Sequence, residues 1–434
     1  MQNDIGREMY DIAERIFPIN RSLTGEGVRE TLRILKEYLP ELEVFEVPSG
    51  TPVFDWVVPR EWECTDAYIE DMEGNRIIDY RKLNLHVVGY SLPMDEVLEW
   101  DRLKELIYTQ PDQPEVTPYI TSYYEERSGF CMPENLKQQL EEKGGRYHAV
   151  IKSRLFNGSL TYGECILPGE SEKEIFISTY VCHPSMANNE CSGPALAVRL
   201  AKWVKERKHK YTYRFVFLPE TIGSITYLSG HYRELKKNTL AGFVVSCVGD
   251  DRAYSMVESR YGNTLTDRLL RNVLSCIDPG YRHYTYLDRG SDERQYNAPG
   301  IDLPVCTFSR SKYGKYPEYH TSADDMRLIS SSGFAGSFRV MTRCMEILEK
   351  NENYLVRVLC EPMLSKRNLQ STISRKGTYE KVKRLRNFIA YADGTNDLLE
   401  IADRIHESAY DLLPIVKELR EVGVLGVCEE GNGC

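Results

Sequence analysis

One stretch, Cys182-His183-Pro184-Ser185-Met186-Ala187-Asn188-Asn189-Glu190-Cys191-Ser192-Gly193, gathers an imidazole, two amides, a carboxylate and two thiols within twelve residues. The apolar run 175–181 before it reads as a buried strand, and 194–206 after it reads as a helix packed through Ala and Leu. An imidazole leaving the end of a strand can bind a metal, and so can a carboxylate a few residues later. The carboxyl edge of an α/β sheet is where ligands sit. Three further segments share this character. Glu220 in Leu218-Pro219-Glu220-Thr221 follows another strand. Gly290-Ser291-Asp292-Glu293 is an acidic turn, and His320 lies in an aromatic loop with Tyr313, Tyr316 and Tyr319. One loop histidine is usually structural, whereas two histidines and a glutamate at such places point to metal-assisted chemistry.

Holding these groups requires strands that alternate with helices. Residues 213–218 and 241–248 read as further buried strands and 334–350 as a long helix, which predicts an α/β fold with a mostly parallel sheet and helices on both faces. Near the N-terminus, 9–17 and 28–39 read as helices and 42–47 as a strand. Between about 49 and 135 the composition shifts to Pro, Trp and Tyr, with short strand-like pieces at 56–58, 66–71 and 84–91, an inserted all-β module. The α/β pattern resumes at 148–151. The tail reads as a short helix, a turn and a second helix ending at Gly423, a winged helix-turn-helix, with Pro414 in the first turn of the last helix. The expected domains are therefore 1–48 with 136–358, the insert 49–135, and 359–434.

Composition narrows the function classes. A chain of 434 residues with 41% apolar residues can build two or three cores. The net charge of −10, without a long basic block, argues against nucleic acid as a partner. The tail is nearly neutral, with 11 Lys and Arg against 12 Asp and Glu over 361–434, which favours a protein partner or a homo-oligomer through the winged helix. The 12 cysteines are scattered without a C-x-x-C, so reduced thiols are expected rather than a disulfide framework. The N-terminus has no signal-peptide shape, and no apolar run approaches the roughly 20 residues of a membrane span. A soluble, cytoplasmic protein with no membrane partner is expected.

The order His183, Asn189-x-x-Ser192-Gly193, Glu220, Tyr319-His320-Thr321-x-x-Asp324 resembles the zinc aminopeptidases related to leucine aminopeptidases and glutaminyl cyclases. Over nearly its full length the chain resembles an uncharacterised bacterial group of aminopeptidase-like proteins. The marks are Arg21-Ser22-Leu23-Thr24-Gly25, Phe54-Asp55-Trp56, Gly129-Phe130-Cys131, Cys182-His183-Pro184-Ser185, Pro219-Glu220-Thr221-Ile222-Gly223-Ser224, Asp292-Glu293-Arg294-Gln295-Tyr296 and Tyr319-His320-Thr321-Ser322-Ala323-Asp324. The resemblance implies an inserted β-domain, a C-terminal winged helix and a zinc pair bridged by an Asp, with a Glu moving protons.

Carried over by position, His183, His320 and Glu220 become metal ligands, and the bridging position falls on Asn189. The later Asp ligand falls on Ser246, with Asp250 and Asp251 displaced, and the first of two adjacent Glu falls on Pro219. Glu190 and Glu293 are then the candidate bases. Loss of anionic ligands predicts one zinc rather than two. Arg21 is a candidate for binding a substrate carboxylate or for supporting the next helix, and Asp292 for orienting a metal-bound His or forming a turn. Tyr313 and Tyr319 would line a substrate cleft or fill a loop, and Asp324, which closes the resembling motif, would equally cap the helix that follows. His86 is expected to be a buried strand residue. The leading expectation is a zinc-dependent hydrolase acting on an amide bond in a peptide or modified small molecule. The alternatives are a non-catalytic ligand-binding descendant and a ligand-sensing regulator acting through the winged helix.

Overall fold

The structure, a computed structural model, describes residues 2–369 and 378–428. The chain forms two compact units, Met1–Gly262 with Arg282–Phe338, and Asn263–Tyr281 with Arg339–Cys434.

The first unit is built on an eight-stranded sheet. Its strand order is Glu43–Pro48, Ser159–Leu167, Tyr211–Leu218, Ser171–Tyr180, Thr239–Val245, Val305–Ser309, Ser255–Val257, Arg282–Tyr284. The four central strands are mutually parallel, whereas the pairings at Ser159–Leu167 and between Val305–Ser309 and Ser255–Val257 are antiparallel. The central strands are apolar on both faces, as sheets covered by helices require: Ile175, Phe176, Ile177, Phe215, Val216, Phe217 and Phe243 are all fully buried.

From Ser171–Tyr180 the chain crosses through helix Ser192–Lys205 to the strand on one side. It then crosses back through helix Ile222–Asn238 to the strand on the other. This reversal opens a crevice at the carboxyl ends, and both crossovers leave it carrying polar residues. Gly193 makes the first crossover possible, because a Cβ there would lie 2.2 Å from Thr179 Oγ1 and 2.5 Å from the Val245 carbonyl.

A second, antiparallel sheet orders Arg76–Asp79, Glu61–Glu70, Arg146–Phe156 and Met94–Glu99. Residues 148–151 thus belong to this small sheet and not to the main one, since Arg146–Phe156 pairs from His148 to Phe156 with Glu61–Glu70. The strand expected over 84–91 is instead a 3₁₀ turn, Asn84–His86, followed by single bridges at Val87 and Gly89. His86 stays half-buried there, its Nδ1 2.8 Å from the Cys131 carbonyl.

In the second unit, helices Thr378–Tyr391, Leu398–Ile405 and Ala409–Glu421 accompany a two-stranded ribbon of Tyr354–Val356 and Leu425–Val427. Asp397 and Glu400 form a capping box that starts the second of these helices. The last helix begins at Ala409, earlier than the pattern suggested, so Pro414 lies in its second turn. Of the basic segment read over 365–376, Ser365–Arg367 forms one 3₁₀ turn and 370–377 lie outside the described residues. Among the described residues no helix is long and apolar enough to cross a membrane. Cys64, Cys131, Cys165, Cys182, Cys191 and Cys247 are among the unbridged thiols, as expected. Cys428 is disulfide-bonded and departs from that expectation.

Candidate active site

Between strand Ser171–Tyr180 and helix Ser192–Lys205 the backbone forms a five-residue π-turn, Ala187–Cys191, a local form that recurs at functional sites. Asp324 holds it. Its carboxylate accepts the N–H of Asn188 at 2.6 Å and of Asn189 at 3.1 Å, and the Tyr316 hydroxyl at 3.0 Å. Burial pushes this carboxyl up to about 7. Asp324 therefore caps the earlier turn and not the helix after it. Asn188 ties the turn to the neighbouring strand end by donating to Asp250 and accepting from the Gly249 N–H.

The turn sets Glu190 behind His183. Glu190 Oε2 lies 2.8 Å from His183 Nδ1, and Cys182 Sγ is 3.4 Å from the same nitrogen. Because a carboxylate accepts, Nδ1 carries the proton, and Nε2 is the nitrogen directed elsewhere. Burial works against charge on His183, but Cys182 and Glu190 more than offset it and raise its pKa. Burial also pushes the Cys182 thiol up to about 12. Arg21, itself buried, donates to the His183 carbonyl at 2.9 Å and lies 3.8 Å from Glu190 Oε1.

His183 Nε2 faces Glu220, whose Oε2 is 3.6 Å away. Glu220 is fixed from the other side by the Ser291 hydroxyl, which donates to Oε1 at 2.7 Å. Burial raises the Glu220 pKa, against the pull of His183. The His320 ring centroid is 5.2 Å from that of His183, and His320 Nε2 is buried with no hydrogen-bond partner. Burial, aided by His183, drives the His320 pKa down to about 2, so this ring is neutral. Tyr319 stacks on His320 at 3.8 Å, and Tyr119 meets both histidines edge-on at 5.1 Å. His320 and the β-branched Thr221 both hold positive φ, at 57° and 65°, backbone strain that clusters at functional sites.

A cleft of about 370 Å³ opens over these groups, lined by His183, Glu220, His320, Trp56, Tyr119 and Arg294 among others. Of the residues singled out in the sequence, it thus brings together His183, Glu220 and His320. The remaining candidates surround it. Asn189 donates to the Tyr180 hydroxyl at 2.7 Å while its Oδ1 is buried without a partner. Glu293 accepts the N–H groups of Gly290 and Ser291 and the hydroxyls of Tyr313 and Thr307, so it fastens the 290–292 turn. Asp292 accepts the Thr221 N–H at 2.8 Å and the Ser224 hydroxyl at 2.9 Å. Burial and Glu220 push it up to about 8.

The sequence reading missed Trp56, Tyr119, Tyr123, Tyr124 and Arg294 as cleft residues. They come largely from residues 56–124, where segment 117–121 pairs with the His320 loop through Tyr119 N–H to His320 O and Ser322 N–H to Thr117 O, each 2.8 Å.

A family model described as "Domain of unknown function (DUF4910)" matches residues 10–351, and one described as "winged helix-turn-helix" matches residues 352–427. A Clostridium acetobutylicum protein named "Putative polysaccharide biosynthesis protein with aminopeptidase-like domain" is 42% identical over 402 residues, 92% of each chain. A crystal structure of a "putative peptidase" from the same organism superposes with a TM-score of 0.92 at 39% identity, covering 98% of this chain and 97% of that one. The fold is also that of BSAP, a zinc aminopeptidase from Bacillus subtilis. That likeness has a TM-score of 0.56 at 13% identity and covers 77% of this chain and 93% of that one.

Proposed function

Since the chain belongs to the family described as "Domain of unknown function (DUF4910)", with a winged helix-turn-helix at its end, we propose that it is a zinc-dependent hydrolase of the aminopeptidase type, cleaving an amide bond in a peptide or modified small molecule. The observation that carries this reading is what faces the cleft: His183 Nε2, 3.6 Å from Glu220 Oε2, and the buried, unpartnered Nε2 of His320; among the described residues the ligand atoms already within 4.8 Å of one another are those of Cys182, His183 and Glu190. Two imidazoles and a carboxylate suit zinc and leave one position open for substrate. Zinc bound there would polarise a carbonyl and lower the pKa of water.

Each protein group has a distinct task in this reading. Glu190 holds the Nδ1 proton of His183 and so keeps Nε2 available. Ser291 orients Glu220, Glu293 holds the turn that carries Ser291, and Asp292 anchors Thr221 beside Glu220. Arg21 supports the backbone of His183 from behind. Glu190 and Glu293 are committed to these partners, and Glu220 is the carboxylate assigned to the metal. Asn189 Oδ1 is at most a neutral donor and Ser246 carries no charge, so one metal is proposed.

Zinc titration followed by elemental analysis should find one tightly held ion per chain, lost in His183→Ala and His320→Ala. Hydrolysis of an amide substrate should stop with a chelator and in Glu220→Gln. Two tightly held zincs per chain would refute the one-metal reading. The Clostridium relative's name couples an aminopeptidase-like domain with polysaccharide biosynthesis, which supports a modified small molecule over a long peptide.

The commitment of Glu190, Asp292 and Glu293 to internal bonds also favours a second reading, a ligand-binding descendant without turnover. Ligand binding by zinc-loaded protein that releases no product would select it. For the winged helix a protein partner is proposed: its last helix exposes Asp411 and Glu421 beside Lys417 and Arg420, a mixed face poorly matched to phosphate. Sequence-specific DNA retention would overturn that assignment.

A further inference from the structure

We propose that Arg294 and the aromatic rim beside it form a subsite for an anionic group, so that the substrate is an N-acylated compound bearing a carboxylate or a phosphate and not a free-amine peptide. This rests on the cleft being the substrate site, as argued above. The first support is the charge inventory. A free ammonium group needs a carboxylate to receive it. Glu190, Asp292, Glu293 and Asp324 are each buried and engaged by internal donors, and Glu220 is the carboxylate that lines the cleft. With Glu220 assigned to metal, no other carboxylate among the described residues lines the cleft to receive an α-amine.

The second support is Arg294 itself. It lines the cleft, and its Nη2 donates to Thr221 Oγ1 at 2.6 Å, which aims the guanidinium across the strained residue next to Glu220. Among the described residues no carboxylate makes a close ion pair with it, although its charge acts on Glu220 and pulls that carboxyl's pKa down against burial. Its remaining N–H groups are thus free to form the paired bonds that a planar guanidinium makes with carboxylate or phosphate.

The third support is the rim. Trp56 and Tyr124 are 42% and 53% exposed, with ring centroids 5.8 Å apart, and both line the cleft. Trp56 also borders an adjoining cavity of about 490 Å³ with Phe54 and Tyr232. Exposed rings beside a cation fit a ligand with a flat face next to its charge.

Three probes test this on zinc-loaded protein: N-benzoylglycine, N-benzoyl-O-phosphoethanolamine and the neutral N-benzoylglycinamide. Binding is measured by calorimetry. Turnover is measured separately as benzoate, since hydrolysis adds water across the benzoyl C–N bond, giving benzoate and the free amine. At least one charged probe should bind 10-fold or more tightly than the neutral one. Arg294→Gln should erase that preference and Arg294→Lys should retain part of it. The charged probe with the larger Arg294-dependent gain identifies the anion. Equal binding of charged and neutral probes, a preference unchanged in Arg294→Gln, or no binding of any probe would each overturn the subsite. A charge preference without benzoate release would leave the subsite standing and remove the hydrolase reading. Turnover without preference would do the reverse.

Discussion

Glu190 Oε2 sits 2.8 Å from His183 Nδ1, while Glu190 Oε1 lies 3.8 Å from the Arg21 guanidinium and makes no hydrogen bond. One carboxylate therefore joins a cleft histidine to a buried cation. Its geometry is that of a group that fixes imidazole tautomer and raises ligand basicity. Glu190→Gln keeps an acceptor for Nδ1–H but removes the charge, and should weaken zinc binding about 10-fold. Glu190→Ala should weaken it by up to about 100-fold. Competition titration against a zinc chelator measures both. Unchanged affinity in Glu190→Ala would break the link.

The Arg21 side of the same arrangement bears on stability. Arg21 donates to the carbonyls of His183 and Ile16 and lies against Cys191 Sγ. Arg21→Met fills a similar volume but leaves Glu190 buried without its arginine partner, with His183 as the one group still bonded to it. A loss of about 3–5 kcal/mol is expected, the range for breaking one side of a buried pair. Denaturant melts should show Arg21→Met well below wild type, with Glu190→Gln in the Arg21→Met background recovering part of the loss. A wild-type midpoint for Arg21→Met would rule out this role.

His183, Glu220 and His320 were legible in the sequence because polar residues at strand ends interrupt apolar runs, and such interruptions are local signals. The parallel centre of the sheet was legible for the same reason, since 175–181, 213–218 and 241–248 are apolar on both faces. What periodicity does not carry is partnership. Residues 148–151 form a strand as read, but whether they pair with Glu61–Glu70 or with the main sheet depends on contacts some 80 residues apart. Tyr119 reaches the cleft because segment 117–121 pairs with the His320 loop, a contact about 200 residues apart in sequence, and Trp56 lines the same cleft from far earlier in the chain. The one local hint was the aromatic density of 118–124. At 84–91, alternation suggested a strand, but the His86 N–H closes a turn onto the Leu83 carbonyl instead.

In the small sheet, His148 lies between Glu70 and Asp95, with Nδ1 at 2.9 Å and Nε2 at 2.7 Å. The bonds to Asp95 and Glu70 raise its pKa above the ordinary imidazole value. The folded chain thus binds this proton more tightly than the unfolded chain. The stabilisation is fully present below about pH 6.5 and fades as pH rises through the folded pKa. His148→Gln should lower Tm at pH 5.5 and have less effect at pH 9. Paired thermal melts across that range provide the check, and an equal drop at both values would show that packing, and not the proton, is responsible. The site is partly exposed, so the effect should shrink in high salt.

Gly193 carries the tightest constraint near the site. A methyl group there would meet Thr179 Oγ1 at 2.2 Å and the Val245 carbonyl at 2.5 Å, the second a backbone atom of a central strand. Overpacking of this kind costs about 1–3 kcal/mol, and relief must come from moving the helix that begins at Ser192. That helix carries the π-turn, and through Glu190 the turn sets His183. Gly193→Ala should therefore lower Tm and also weaken zinc binding, whereas a core substitution remote from the cleft should lower Tm alone. Thr179→Ala in the Gly193→Ala background should restore part of both, since it removes the nearer clash and leaves the backbone one. Restoration of Tm without any recovery of zinc affinity would separate the helix position from the metal site and sink the argument.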